Sequence, residues 1–402
     1  MSKNKTVTRD MYDQFFLPFY APFDFIPVKG VGSRVWDQQD KEYIDFSGGI
    51  AVSCMGHCHP KLLKTLAYQS KLIWHTSNFF VNEPQLRLAS KLIQSSFASH
   101  IFFSNSGAEV NEAALKLARY YSIHKFGLKK VKIISFHNSF HGRTLFTVYV
   151  GGNLSYSKPF GFSFKDIVHL PFNDLDTFSK VINDSFCAVI IELVQGEGGI
   201  IPADFLFIQE VRSLCNKYNV LLILDEVQTG IGRTGTLFAY EQYGIIPDML
   251  TIAKSLGGGF PISALLACKK ISDIIKKGLH GTTYGGNPLA CSIAETVLDF
   301  INTKKILSGV IKRSKIFSKK IHMINKAIKI FKEIRIKGLL IGLEFVPEVS
   351  IDIKKILKIF SNEGVLVLSA GTNVIRLAPS LIISYEDIDE GMDRFLKAVK
   401  LI

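Results

Sequence analysis

From about residue 100 to residue 270, short apolar runs alternate with segments of helical pattern, and this constrains the fold more than any other feature. The runs at 101–104, 131–136, 187–193, 220–224, 249–252 and 262–267 have the length and apolar content of buried strands. Strands that alternate with helices form βαβ units around a mostly parallel sheet, and such sheets bind ligands at the carboxyl ends of their strands. After Pro288 the texture changes to helices followed by two strand-like runs, 338–345 and 365–368, which predicts a C-terminal lobe. The first 50 or so residues, rich in Phe and Pro, read as an arm or small lobe packed on the rest. The expected division is 1–55 for the N-terminal arm and small-domain segment, 56–286 for the large domain and 287–402 for the C-terminal small domain.

The balance of 47% hydrophobic and 21% charged residues is that of a globular chain. No apolar run approaches the roughly 18–20 residues of a membrane span, and residues 1–10 lack the apolar stretch of a secretory signal. The six cysteines are scattered rather than arranged as a disulfide framework, so reduced thiols in a cytoplasmic protein are expected. The net charge of +13 raises nucleic acid as a partner. Its densest cluster, however, is Lys312, Arg313, Lys315, Lys319 and Lys320, interleaved with Val310, Phe317, Ile321, Ile324 and Ile328 at helical spacing. That pattern is the solvated face of an amphipathic helix, and neither a nucleic-acid nor a membrane partner is expected.

Three segments carry chemistry. In Phe103-Ser104-Asn105-Ser106-Gly107-Ala108-Glu109, Ser106 followed by Glu109 is a capping-box pattern at a strand-to-helix junction. The free N–H groups of such a helix start suit a phosphate, although a cap alone accounts for the pattern as well. In Leu222-Ile223-Leu224-Asp225-Glu226-Val227-Gln228, a carboxylate closes a buried strand. Asp225 can hold a protonated ring nitrogen there, or merely cap the turn, and Gln228 can reach a ring hydroxyl. Lys254 follows the next strand and precedes Gly257-Gly258-Gly259. Desolvation at that place lowers a lysine's pKa and makes it a nucleophile for Schiff-base chemistry; alone it could also be a snorkelling surface residue.

Two other patterns carry less. Gly230-Ile231-Gly232-Arg233-Thr234-Gly235 has dinucleotide-fingerprint spacing, but residues 225–229 separate it from the strand and no amphipathic helix follows. Cys54, His57, Cys58 and His59 crowd together without a second ligand pair at zinc spacing, and His137 and His141 lack an accompanying glutamate. No metal site is expected.

With these residues in place, the chain resembles the class III (ω-amino acid) aminotransferases of pyridoxal-5′-phosphate (PLP) fold type I over nearly its whole length. The marks are Tyr20-Ala21-Pro22, Gly56-His57-Cys58-His59-Pro60, Phe140-His141-Gly142-Arg143, Gln195-Gly196-Glu197-Gly198-Gly199 and Asp225-Glu226-Val227-Gln228. Ala253-Lys254, Thr283-Tyr284-Gly285-Gly286-Asn287-Pro288 and Arg376-Leu377-Ala378-Pro379 complete them. Leu193 stands where this family often has Pro, and Ala108-Glu109-Val110 stands where it frequently has Thr-Glu-Ala. The resemblance implies an α/β fold with a large PLP-binding domain around a mostly parallel sheet and a smaller α+β domain built from the N- and C-terminal segments. It implies that Lys254 carries the cofactor, Asp225 pairs with its ring nitrogen, Gln228 meets its ring oxygen and Phe140 stacks on its face. Ser106, Gly107 and Ala108 would hold the phosphate, joined by Thr283 from a neighbouring subunit, which makes a homodimer obligatory. Arg143 would hold the substrate α-carboxylate. Arg376 would hold that of glutamate and pair with Glu197 while the ω-amine is bound. Tyr20, Asn78 and Thr282 complete the implied substrate site. Within the family the likeness is strongest to the branch acting on N-acetylornithine and N-succinyl-diaminopimelate with 2-oxoglutarate as acceptor, with ornithine and 4-aminobutyrate as alternative donors.

Overall fold

The computed structural model describes residues 7–161, 164–349 and 352–402; residues 1–6, the start of the expected arm, lie outside the described residues. Its centre is a seven-stranded sheet in the order His100–Ser104, Ser263–Ala267, Met249–Ile252, Leu221–Asp225, Phe186–Glu192, Lys132–Phe136, Ile167–Leu170. Only Ser263–Ala267 runs against its neighbours; the other pairings are parallel. All six runs expected as strands are present in this sheet, shifted by one residue at most ends.

Strand residues alternate between two separate cores, as a period of two requires. Ile191, Leu222, Leu224, Leu250 and Ile252 face the larger core, which also takes Phe207, Ile208 and Val211 from the helix Phe205–Lys217. Ile190, Leu221, Ile223 and Met249 face the smaller one with Val110, Ala113, Ala114 and Leu117 of the helix Gly107–Phe126. Small residues on that helix let it lie close to the sheet, so that its N-terminus arrives beside the ends of the central strands.

Two four-stranded sheets flank this centre. In one, Pro27–Val31, Arg34–Asp37 and Glu42–Asp45 are joined by Val365–Leu366 from far along the chain. Arg34 ties this sheet to the helix Tyr385–Val399, pairing with Glu42 at 2.6 Å, Asp387 at 2.7 Å and Glu390 at 2.6 Å. The other contains Phe331–Lys337, Leu340–Phe345, Val374–Leu377 and Leu368–Ala370. The single strand expected at 365–368 is therefore divided between two sheets, and the strands at 331–337 and 374–377 were not expected.

The basic cluster at 312–320 lies on the helix Lys304–Ile328, which buries Val310, Phe317, Ile321 and Ile324 and leaves Ile328 half-buried. The 230–235 glycine segment forms turns rather than a helix start, with Gly232 and Gly235 at φ of 86° and 101°. Its Arg233 is fully buried and donates to the carbonyls of Leu339 and Pro379 at 3.0 and 2.6 Å, joining the large sheet's periphery to the C-terminal sheet. Among the described residues no helix is long and apolar enough to cross a membrane.

Candidate active site

Asp225 is the last residue of a strand buried along its whole length, and its carboxylate is fixed from three directions. Oδ2 accepts from Asn111 Nδ2 at 2.7 Å and contacts His141 Nδ1 at 2.8 Å, while Oδ1 accepts from the Val227 amide at 3.0 Å. Asn111 is itself oriented by Thr251, whose hydroxyl donates to Asn111 Oδ1 at 2.7 Å. His141 is buried and does not converge with His137, whose ring stacks instead against His169 at 6.2 Å. Sequence reasoning weighed His141 for metal binding and missed both it and Asn111 as partners of Asp225. The signal available was the place of His141 in Phe140-His141-Gly142-Arg143.

Around Asp225 lies a cavity of about 400 Å³ lined by Lys254, Gln228, Phe140, Arg143, Glu197 and the start of the helix Gly107–Phe126. Ser106 caps that helix, its hydroxyl accepting from the Glu109 amide at 3.3 Å, and Glu109 Oε2 takes the Asn105 amide at 2.9 Å. A Cβ on Gly107 would come within 2.8 Å of Val227 Cγ1, so glycine permits the helix end to press on the turn after Asp225. At the opposite wall Glu192 is buried and accepts from the amides of Phe140 at 2.8 Å and Gly196 at 3.1 Å. Burial holds its carboxyl above the usual range, aided by the nearby Asp225 and opposed by His141. Of the departures from the family pattern, Leu193 and Val110 are fully buried core side chains outside the cavity lining, whereas Ala108 is part of that lining.

Lys254 projects from a backbone with φ of 40° directly after the strand Met249–Ile252. Burial pushes its pKa below that of an ordinary lysine, and the positive charge of Arg376 adds to this. Among the described residues it forms no ion pair, although Asp225, Glu192 and Glu197 are close enough to act on it. Arg376 is 3% exposed and pairs with Glu197, Nη1 to Oε1, at 2.6 Å. Arg143 is exposed, with its Cζ 3.7 Å from the centre of the Tyr156 ring. Tyr20, Asn78, Thr282 and Thr283 do not line the cavity within one chain. Tyr20 and Thr283 are exposed, whereas Asn78 donates to the Thr282 and Gly285 carbonyls at 3.0 and 3.2 Å.

This lining fits pyridoxal phosphate. A buried carboxylate suits a protonated ring nitrogen, the buried Gln228 Oε1, without a partner among the described residues, marks a side chain with capacity for a further polar group, and the capped helix start suits a phosphate. A lysine with a depressed pKa stands among them.

Fold and cofactor together define a PLP-dependent enzyme of fold type I, a transaminase. The chain belongs to the class III aminotransferases, for the family model described as Aminotransferase class-III matches residues 18–399. It is 62% identical over 400 residues to the acetylornithine/succinyldiaminopimelate aminotransferase of Buchnera aphidicola subsp. Acyrthosiphon pisum (strain APS), covering 100% of this chain and 98% of that one. Its structure resembles the N-acetylornithine aminotransferase of Stenotrophomonas maltophilia K279a with a TM-score of 0.85 and 36% identity, over 98% of both chains. An ornithine aminotransferase of Toxoplasma gondii with partial occupancy of PLP at its active site matches with a TM-score of 0.91 and 29% identity, over 97% of this chain and 93% of that one.

Proposed function

We propose that this enzyme moves the ω-amino group of N-acetylornithine, and of N-succinyl-diaminopimelate, to 2-oxoglutarate, giving a semialdehyde and glutamate. The observation that carries the reading is one cavity lined by Lys254, Asp225, Arg143 and the Glu197 that pairs with Arg376. The names of the similar Buchnera and Stenotrophomonas proteins support the donor.

Bound PLP supplies an electron sink for the negative charge left when the reacting carbon loses its proton. Asp225, held by Asn111 and His141, would keep a proton on the ring nitrogen. Gln228 would hold the ring oxygen, Phe140 would cover the ring face, and Ser106, Gly107 and Ala108 would present the helix start to the phosphate. Lys254 Nζ, whose pKa is lowered by burial and by the charge of Arg376, would hold the cofactor and then move the proton. Arg143 takes the donor's α-carboxylate in its planar fork. Glu197 occupies Arg376 while the ω-amine reacts, then releases it to hold the α-carboxylate of glutamate.

Tyr20, Asn78 and Thr282 would complete the substrate site, and Thr283 would reach the phosphate of the neighbouring subunit's cofactor in a homodimer. Supporting a subunit contact, Phe79 beside Asn78 is 95% exposed, and Trp74 and Phe80 are exposed with it. The division into 1–55, 56–286 and 287–402 and a cytoplasmic location belong to the same reading.

The test is an absorption spectrum of the purified enzyme before and after N-acetylornithine is added without a keto acid. Loss of the visible band of lysine-bound cofactor supports the donor. A band that moves only with ornithine or 4-aminobutyrate replaces it, and a protein that never takes up PLP defeats the assignment of Lys254.

A further inference from the structure

Arg143 has no ion pair among the described residues, yet its guanidinium is not left loose. Its Cζ lies 3.7 Å from the centroid of the Tyr156 ring and 5.5 Å from that of Phe140. The two rings meet edge to face, 6.2 Å apart at 87°, so Tyr156 stands against Phe140 with Arg143 over its face. Tyr156 sits on the short helix Leu154–Ser157, which Asn153 caps by accepting from the Ser155 amide at 3.0 Å. Just before it, the Gly152 amide donates to the Ser139 carbonyl at 3.0 Å, anchoring this segment to the chain leaving the central sheet.

A guanidinium stacked on an aromatic face keeps all its in-plane N–H groups available, and a carboxylate binds in that plane. An exposed arginine without such support loses its side-chain freedom when the carboxylate arrives, which weakens binding. We propose that Tyr156 is a positioning residue for the reaction: its ring holds Arg143 flat so that the fork is already set for the carboxylate of the amino donor. The proposal rests on the reading that Arg143 holds that carboxylate. The aromatic face is what matters, and the phenol hydroxyl is dispensable.

The experiment compares N-acetylornithine with its carboxamide analogue as donors for the PLP-loaded enzyme. Tyr156→Leu raises KM for N-acetylornithine roughly two- to fivefold, the worth of a cation–π contact at an exposed arginine, with kcat unchanged. The same variant leaves KM for the carboxamide where it was, and Tyr156→Phe restores wild-type values for both. Equal losses with the two donors, a loss confined to kcat, or a Phe variant as impaired as the Leu variant would each overturn the proposal. Arg143→Met is measured alongside. If it does not distinguish acid from amide, the assignment of Arg143 has failed; if it does and Tyr156→Leu does not, only the role of Tyr156 has failed. Should Tyr156→Leu not fold, the unbranched Tyr156→Met supplies the same comparison.

Discussion

Asp225 Oδ2 is shared by two buried side chains, Asn111 Nδ2 at 2.7 Å and His141 Nδ1 at 2.8 Å. Both come from segments distant in sequence, the helix Gly107–Phe126 and the loop after Lys132–Phe136. An acceptor held by two side-chain donors and a backbone amide cannot rotate, so a positive ring nitrogen would meet a carboxylate already aimed. Asp225→Asn keeps the shape but removes the charge, and places its own N–H₂ among donors. Turnover at saturating donor and PLP is expected to fall by about 10²–10⁴-fold, as when one partner of a buried charge pair is lost at about 3–5 kcal/mol. A loss below tenfold would show that the charge of Asp225 is not needed.

Asn111 is the joint of this network, since it donates to Asp225 and accepts from Thr251 at 2.7 Å. Asn111→Leu leaves both of those groups short of a partner. Stability of the cofactor-free protein should drop by about 1–3 kcal/mol for each unsatisfied group. Thr251→Val alone should cost about 1 kcal/mol, and the double variant less than the sum, because the two share one bond. Urea unfolding of the three variants measures this, and strict additivity would mean that the pair is not coupled.

The inner strands of the central sheet were legible because they are buried on both faces and read as unbroken apolar runs, whereas the edge strand Ile167–Leu170, with only Leu170 buried, was not expected. Phe331–Lys337 was not, because only Phe331 and Arg335 of its seven residues are buried and the rest alternate Lys, Glu and Ile near the surface. The run 365–368 shows a different limit. Its residues are apolar throughout, yet Val365–Leu366 pairs with Ile44–Asp45 and Leu368 pairs with Arg376, and the choice lies in partners far along the chain. At the site, Lys254 and Asp225 stood out because each puts an ionisable side chain at the end of an apolar strand, where packing alone favours another apolar one. His141 did not, since its role appears only when a carboxylate 84 positions later is brought within 2.8 Å.

The depressed pKa of Lys254 has burial as its first cause and the charge of Arg376 as its second. Arg376→Met removes that charge and leaves Glu197 unpaired, and both changes favour the ammonium form. The pKa of Lys254 should therefore rise toward its ordinary value. Uptake of PLP by the cofactor-free protein requires the neutral amine, so the pH dependence of its rate should move to higher pH. A profile that stays in place, or moves to lower pH, would remove Arg376 from the causes.

Gly142 has φ of 141°, a conformation that side chains other than hydrogen disfavour, and an added Cβ would stand 2.6 Å from Thr147 Oγ1 and 2.7 Å from Ala108 Cβ. Gly127, at the end of the helix Gly107–Phe126, has φ of 80° but no heavy atom within 4 Å of an added Cβ. Gly127→Ala therefore carries backbone strain alone, about 1–3 kcal/mol. Gly142→Ala adds overpacking of about 1–3 kcal/mol, and it does so against Ala108, in the first turn of the helix whose start faces the cavity. The two variants should thus differ in kind as well as size. Both lose stability in thermal unfolding of the cofactor-free protein, but only Gly142→Ala should also weaken the equilibrium binding of PLP, by displacing the helix start from the phosphate. Equal cofactor affinity in the two variants would show that the approach of Gly142 to Ala108 serves packing alone.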